Sequence, residues 1–363
     1  MSMSNTGNEK IRDVVLVAHN DQWQEAFQAE AGRIKKILGN HCVDIHHIGS
    51  TAIQKISAKP IIDMMPVVDN LSKIDQLNNQ FEQLGYQVMG EFGIPNRRYY
   101  WKSKEKRTHH IHLFEKDNPH ISRHLEFRDF LSQNLDYAKA YELIKTNLAN
   151  AFSQDIDNYV KGKSAFIEYI DYKTGNADQI QKEATDDIEI VSYDPAWPKL
   201  ANLEINIIKA IVEPLKLNYI KIEHIGSTAI ANLSSKPIID IFIVIEDIQQ
   251  GVLWVPILEK LGYIFWQENP DKKHLRFFKG MPPYGKKRTH HVHIVAKDNP
   301  RWIHSVLFRD ILKKNKELKL EYEQLKLELA EQFKNDREAY TDKKHDFIKM
   351  VLRASGFDEE IKR

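Results

Sequence analysis

The sequence predicts a mixed α/β protein of two tandem domains, each a mixed β-sheet flanked by helices and closed by a helical C-terminal tail. Three observations carry this expectation. An ordered set of motifs occurs twice along the 363 residues. A polar stretch with no apolar period separates the two sets. Within each set, short apolar runs with strand character alternate with segments of helical period.

His47-Ile48-Gly49-Ser50-Thr51-Ala52-Ile53 returns as His224-Ile225-Gly226-Ser227-Thr228-Ala229-Ile230, and Lys59-Pro60-Ile61-Ile62-Asp63 as Lys236-Pro237-Ile238-Ile239-Asp240. Both are displaced by 177 positions (240 minus 63). Arg107-Thr108-His109-His110-Ile111-His112 returns as Arg288-Thr289-His290-His291-Val292-His293, and Phe127-Arg128-Asp129 as Phe308-Arg309-Asp310. These later blocks are displaced by 181 (293 minus 112), so the second copy carries four extra residues in between. Tyr141, Lys145, Tyr159 and Lys163 match Tyr322, Lys326, Tyr340 and Lys344 at the same displacement. The domains are therefore expected at 13–172 and 188–356, with 173–187 as linker. The period is too long for a solenoid, and each copy is expected to have a sheet and core of its own.

Each copy opens with a β-rich run, Val14–Val17 or Ile188–Val191. In the first copy a helix starts from Asn20, a good N-cap, with Trp23, Phe27, Ile34 and Leu38 on one face. Val43–Ile48 reads as a strand ending at Gly49, and Ser50 or Thr51 begins a helical turn. Pro60–Val68 is nearly continuous apolar sequence, as a central buried strand requires. Leu71–Leu84 reads as a helix stopped by Gly85. Arg98–Trp101 and His109–Phe114 read as strands joined by a lysine-rich turn, and Ile121–Tyr169 as helical throughout.

Composition bounds the function. A formal net charge of +1 argues against a surface built for nucleic acid. The single cysteine, Cys42, can form neither an internal disulfide nor a cysteine-rich zinc site. Met1 to Asp13 is polar, with no apolar core of a secretory signal, and no apolar run approaches the ~20 residues of a membrane span. A cytoplasmic protein is expected.

Several positions carry chemistry. Gly49 and Gly226 allow a sharp turn and a close backbone approach, and the hydroxyls after them would favour phosphate at a helix start. Serine is also a common N-cap with no ligand. Asp63 and Asp240 interrupt apolar strands, and a carboxylate there is costly unless paired with a cation. A salt bridge or a divalent metal both answer that need. His110 and His112, like His291 and His293, are two apart on a strand and share a face, as metal-binding or structural histidines would. His109 points the other way. Basic residues approach these strands: Lys59 and Lys236, Arg98 matched with Arg276, and Lys102, Lys104, Lys106 and Arg107 against Lys286, Lys287 and Arg288. Solvated turns or a polyphosphate site would each explain them. Arg128 either reaches back to the site or pairs with an internal carboxylate. Tyr141 with Lys145, and Tyr159 with Lys163, read as core-edge tyrosines with solvated lysines.

Together, His47–Ala52, Ala58–Asp63, the Thr-His-His-x-His string and Phe-Arg-Asp resemble the GrpB family of the nucleotidyltransferase superfold, over essentially both domains. The resemblance implies a nucleotidyltransferase-like fold in which a Gly-Ser turn leads, 13 residues after the serine, to an aspartate. It assigns Gly49, Ser50, Thr51, Lys59, Arg98, Gly226, Ser227, Thr228, Lys236 and Arg276 to phosphate or nucleotide. Asp63 and Asp240 become the catalytic, metal-holding acids, with His110, His112, His291 and His293 as further ligands for Mg²⁺ or Mn²⁺, Zn²⁺ being admitted by the imidazoles. The chain departs from the pattern where Met65 and Phe242 replace a second acid, and where Gln54-Lys55 and Ala231-Asn232 replace Pro-Gly. The second copy keeps Glu223 and Tyr193–Trp197, and so matches better.

The leading expectation is metal-dependent nucleotide binding, and with it nucleotidyl transfer to an acceptor. The rival is a non-catalytic module for a nucleotide, a coenzyme A-like ligand or a protein partner. GrpB-like domains fused to dephospho-coenzyme A kinases suit that rival. A metal-dependent phosphohydrolase is the third reading.

Overall fold

The structure, a computed structural model, describes residues 13–103, 106–178, 182 and 184–357. Lys104, the stretch before Asp13 and part of the linker lie outside the described residues. The chain divides into two compact units, Met1–Lys161 with Lys173–Asn176, and Gly162–Tyr172 with Ala177–Arg363. The sheets are separate, as the repeat requires.

In the first domain, β1 (Cys42–Ile48), β2 (Ile62–Val68), β3 (Tyr86–Val88), β4 (Arg97–Lys102) and β5 (His109–Glu115) form one sheet in the order β1-β2-β5-β4-β3. Only β2 and β5 run parallel; the other neighbours are antiparallel. The second domain repeats this with β6 (Lys221–Ile225), β7 (Ile239–Ile245), β8 (Tyr263–Phe265), β9 (His274–Lys279) and β10 (His290–Ala296), in the order β6-β7-β10-β9-β8. The expected mixed sheet with flanking helices is what forms.

Apolar periodicity sets the layers. The helix Gln22–Leu38 buries Trp23, Ile34 and Leu38 on the sheet face formed by Met64, Val68, Tyr100, Ile111 and Leu113, with Phe81 closing that core. Burying each such large side chain contributes roughly 1.5–3 kcal/mol. The opposite face, with Ile48, Met65 and Phe114, receives Ile121 and Leu125 of the helix Pro119–Gln133. Phe242, Val244 and Val295 meet Trp302 and Val306 of the helix Pro300–Lys314 in the same way.

Four details differ from the sequence expectation. The opening runs are not sheet strands: Val17 and Val191 each make only an isolated bridge, to Ala58 and Ser235. The segment from Leu71 is not one helix, because a 3₁₀ turn at Asp75–Leu77 separates Leu71–Ile74 from Asn78–Gln83. The tail is three helices, Pro119–Gln133, Leu135–Ala151 and Ile156–Lys173, broken at Asn134 and after Phe152. The strand Tyr86–Val88 is absent from the sequence reading, being too short to show a period.

The four extra residues of the second copy lie in one hairpin. Lys102 pairs with His109 and Lys279 with His290, so the connection is 103–108 in one domain and 280–289 in the other. This register corrects the match of Arg98 with Arg276. Arg276 pairs with His293 as Tyr99 pairs with His112, one residue on from Arg98. The counterpart of Lys102 is Lys279, not a lysine of the 286–288 cluster.

Candidate functional site

Two neighbouring parallel strands assemble the centre of each site. The register sets Asp63 beside His110 and Asp240 beside His291, and His293 two residues on beside Phe242. Opposed residues of paired strands share a face, so one carboxylate meets two imidazoles. In the first domain Oδ1 of Asp63 lies 3.1 Å from Nδ1 of His110 and 3.8 Å from Nε2 of His112. In the second, Oδ1 of Asp240 lies 3.0 Å from Nδ1 of His291 and 3.9 Å from Nε2 of His293. All three donor atoms of each set fall within 4.8 Å of one another. Where a second acid would stand, Phe242 packs its ring against His293, with centroids 5.1 Å apart.

The glycine turn closes over the acid. Ile48 and Ile225 end their strands opposite Asp63 and Asp240, so the next residue passes directly over the carboxylate. Gly49 and Gly226 take φ of 71° and 75°, where a side chain is strained. A Cβ on Gly49 would sit 2.3 Å from Asp63 Oδ2. Each glycine leads into a single 3₁₀ turn, Ser50–Ala52 or Ser227–Ala229, and not into a longer helix. The macrodipole expected there is therefore missing, because so short a turn aligns few peptide dipoles.

The hydroxyls have separate partners. Ser50 shares a hydrogen bond with Tyr141, and Ser227 with Tyr322. Thr51 and Thr228 are buried. Thr228 Oγ1 donates to the Ile238 carbonyl at 3.1 Å and lies 3.0 Å from His224 Nε2; Thr51 bridges Ile61 and His47 alike. A hydroxyl with one proton that donates to a carbonyl must accept from the imidazole, so His224 carries its proton on Nε2. The threonine side chains therefore tie the turn together and do not face a phosphate.

The tail holds the loop between the turn and the acid. Glu142 accepts from the Ser57 amide at 2.6 Å, and Lys145 donates to the Ser57 carbonyl at 2.7 Å. Glu323 and Lys326 hold Ser234 in the same manner. Lys145 and Lys326 are buried, against the reading of solvated lysines. Sequence reasoning missed Glu142 and Glu323; the signal was the repeated Tyr-Glu-x-x-Lys. Arg128 and Arg309 answer the open choice: each pairs with the next aspartate and donates to the carbonyl of His47 or His224, just before the glycine turn.

The predicted cations separate. Arg98 turns to the other sheet face, where both arms of its guanidinium hold Asp75 at 2.6 and 2.8 Å. It lines a polar cleft with Asn70, Ser72, Glu115 and Lys116, at the far ends of β2 and β5 from Asp63. Lys59 lies over the Tyr159 ring and Lys236 over Tyr340, where Lys344 also approaches to 4.5 Å. Arg276, Lys236 and Lys344 all feel the Asp240 charge. Arg288 feels His291 and pairs with Asp186 of the expected linker. The site of the second domain is thus ringed by cations.

The electrostatics favour a cation at the centre. Burial opposes charge on Asp63 and Asp240, but the neighbouring imidazoles, His110 with His112 and His291 with His293, outweigh it and hold both acids well below the usual carboxylate range. Burial pushes His291 down to about 4 and lowers His112 and His293. In the second domain the centre at neutral pH is one carboxylate with two uncharged imidazoles, the form that ligates metals. Around Lys236 burial dominates, with Lys344 and Arg337 adding repulsion, and its ammonium is held well below its ordinary range. An anion would relieve that repulsion.

The GrpB protein family model matches residues 13–173 and 187–354. UPF0157 protein YqkA of Bacillus subtilis is 42% identical over 157 residues, which are 43% of this chain and 46% of that protein, so the match spans less than half its length. Glutamate-rich protein GrpB of Alkalihalophilus pseudofirmus is 32% identical over 163 residues, 44% of this chain and 94% of that protein. A crystal structure of conserved protein GrpB from Enterococcus faecalis shares 42% identity and covers 44% of this chain and 96% of its own, with a TM-score of 0.43. Among the described residues no helix is long and apolar enough to cross a membrane.

Proposed function

The chain belongs to the GrpB family, and from that premise we propose that it binds the phosphate chain of a nucleotide through a divalent cation held by Asp240, His291 and His293. The observation that carries this reading is the convergence of one carboxylate oxygen and two imidazole nitrogens within 4.8 Å, repeated in both domains. That donor set suits a divalent metal.

The cation, when bound, supplies charge neutralisation and polarisation of phosphoryl oxygens. The chain's own residues do the rest. Gly226 brings the backbone against Asp240 and leaves no side chain to exclude a ligand there. Tyr322 orients the Ser227 hydroxyl. Lys236, Lys344 and Arg276 offset phosphate charge from the rim. Phe242 takes the place of a second acid, so the reading is of one cation and not a two-metal centre. Nucleotidyl transfer is the reaction class that the resemblance to nucleotidyltransferases adds to this binding reading.

A thermal-shift panel on the full chain tests it. ATP, GTP, CTP, UTP, AMP and coenzyme A are compared with and without Mg²⁺, Mn²⁺ and Zn²⁺. The expected result is a nucleotide shift that needs metal and disappears in Asp240→Asn. A response to coenzyme A that ignores metal would instead favour the non-catalytic ligand-binding module.

A further inference from the structure

We infer that the two domains have divided the metal site between them, so that Asp240, His291 and His293 take a divalent cation while Asp63, His110 and His112 do not. The inference rests on the metal-binding function proposed for the second domain and adds a restriction on the first. Its basis is the group that stands behind the second histidine of each set.

In both domains that histidine turns Nε2 toward the aspartate, at 3.8 Å for His112 and 3.9 Å for His293. A neutral imidazole can ligate through Nε2 only if its proton sits on Nδ1. The partner of Nδ1 therefore decides whether the ligand atom is available.

In the first domain that partner is Arg97, whose NH1 lies 3.3 Å from His112 Nδ1. The guanidinium is held in place by the carbonyls of Glu91 at 3.2 Å and Phe92 at 2.7 Å. A guanidinium only donates, so His112 Nδ1 must accept and the proton must reside on Nε2, facing Asp63. The Nε2 proton then occupies the side of the ring turned toward the carboxylate, and the imidazole presents no lone pair to a metal there.

In the second domain the same place belongs to His274, with Nε2 2.8 Å from His293 Nδ1. An imidazole can accept. His293 can then carry its proton on Nδ1, donate it to His274, and turn the Nε2 lone pair toward Asp240. The neighbouring register position differs in the same sense: Arg276 faces the second site where Tyr99 faces the first. A cation therefore finds the lone pair of the second imidazole in one domain only.

Metal stoichiometry on the full chain tests this, with Co²⁺ as probe, by calorimetry and visible absorption. One equivalent per chain is expected for the wild type and for Asp63→Asn, and none for Asp240→Asn. Two equivalents in the wild type, or one retained in Asp240→Asn and lost in Asp63→Asn, would overturn the division while leaving a metal-binding reading intact. No binding to any form would overturn that reading and this inference together. Arg97→His is expected to add a second equivalent. Because Arg97 also holds two carbonyls and its loss could impair folding, the tautomers of the wild type are read as well, by imidazole ¹⁵N shifts. His112 is expected as the Nε2–H form, unmoved by Zn²⁺, and His293 to shift on Zn²⁺ addition. A Zn²⁺-dependent shift at His112 equal to that at His293 would contradict the proposal.

Discussion

A Cβ on Gly226 would sit 2.6 Å from Oδ2 of Asp240, so the turn and the acid exclude any residue larger than glycine. The contact explains why the two blocks travel together. The turn can cover the carboxylate only with no side chain, and the carboxylate can stay ionised there only while its neighbours leave room for donors.

Gly226→Ala is expected to cost about 1–3 kcal/mol of stability, from the positive φ and the clash. It should also weaken Co²⁺ binding at least ~10-fold, because the carboxylate must move from the imidazoles. Urea unfolding and a Co²⁺ titration on the same variant measure both. Unchanged stability with unchanged binding would show that the turn yields freely.

Asp240→Asn separates a ligand role from a structural one. As a metal ligand, the substitution preserves shape, leaves the apo melting temperature near wild type, and abolishes the metal-dependent nucleotide shift. As a structural charge, it strands its partners and lowers stability by about 3–5 kcal/mol while the shift survives. A nucleotide at 100 times its dissociation constant should stabilise the wild type by about 2.7 kcal/mol, so the loss is measurable.

On the sheet face away from the site, Lys279 and Tyr263 donate to Glu204 at 2.6 and 2.9 Å, with both ionic side chains 5% exposed or less. Lys279→Met leaves that carboxylate buried without its cation and should cost about 3–5 kcal/mol; the double variant Glu204→Leu/Lys279→Met should recover most of the loss. The equivalent Lys102, 21% exposed, should show a smaller penalty on Lys102→Met. Chemical denaturation of these variants decides. A double variant no better than Lys279→Met would mean the lysine acts by packing alone.

Acid should destabilise the protein earlier than its carboxylates alone would require. His47, His224, His290 and His291 are held down to about 4, chiefly by burial. Unfolded, each titrates near 6.5. Between those values the unfolded chain binds protons that the native state refuses, so stability falls as pH drops from about 6.5 toward about 4. For the buried His47 the loss at pH 5 is of order 1–2 kcal/mol. Asp63 and Asp240, held low, lose their contribution only below about pH 4. Urea unfolding at pH 7.5, 6.0 and 5.0 should show the decline within the histidine window; equal stability at the three values would refute it.

Much of the site was legible. An aspartate inside Ile-Ile-Asp-Met-Met and two histidines at strand spacing pointed to one face, and the structure places their donor atoms within 4.8 Å. The Gly-Ser-Thr turn was legible as a turn but not as a 3₁₀ turn, since φ at glycine and the length of a helix are not written in three residues. Thr51 and Thr228 were misread because a hydroxyl beside glycine looks free until its carbonyl partner, ten residues on, is in place. Arg98 was misplaced by one position, and in a strand one position is the opposite face.

The sequence by itself determined that there are two domains, where the sheet strands of their central pair lie, and which acid and imidazoles share a face, because repeat spacing and a two-residue period are properties of the chain alone. Only the tertiary structure decided what stands behind each ligand. Arg97 and His274 take the same register position on the neighbouring strand, unshifted by the four extra hairpin residues, and only the pairing of strands brings the one or the other against the second histidine. That is why two sites with the same residues hold their second histidine in different ways. Proton position on an imidazole is set by its farther neighbour, and the chain brings that neighbour in only when it folds.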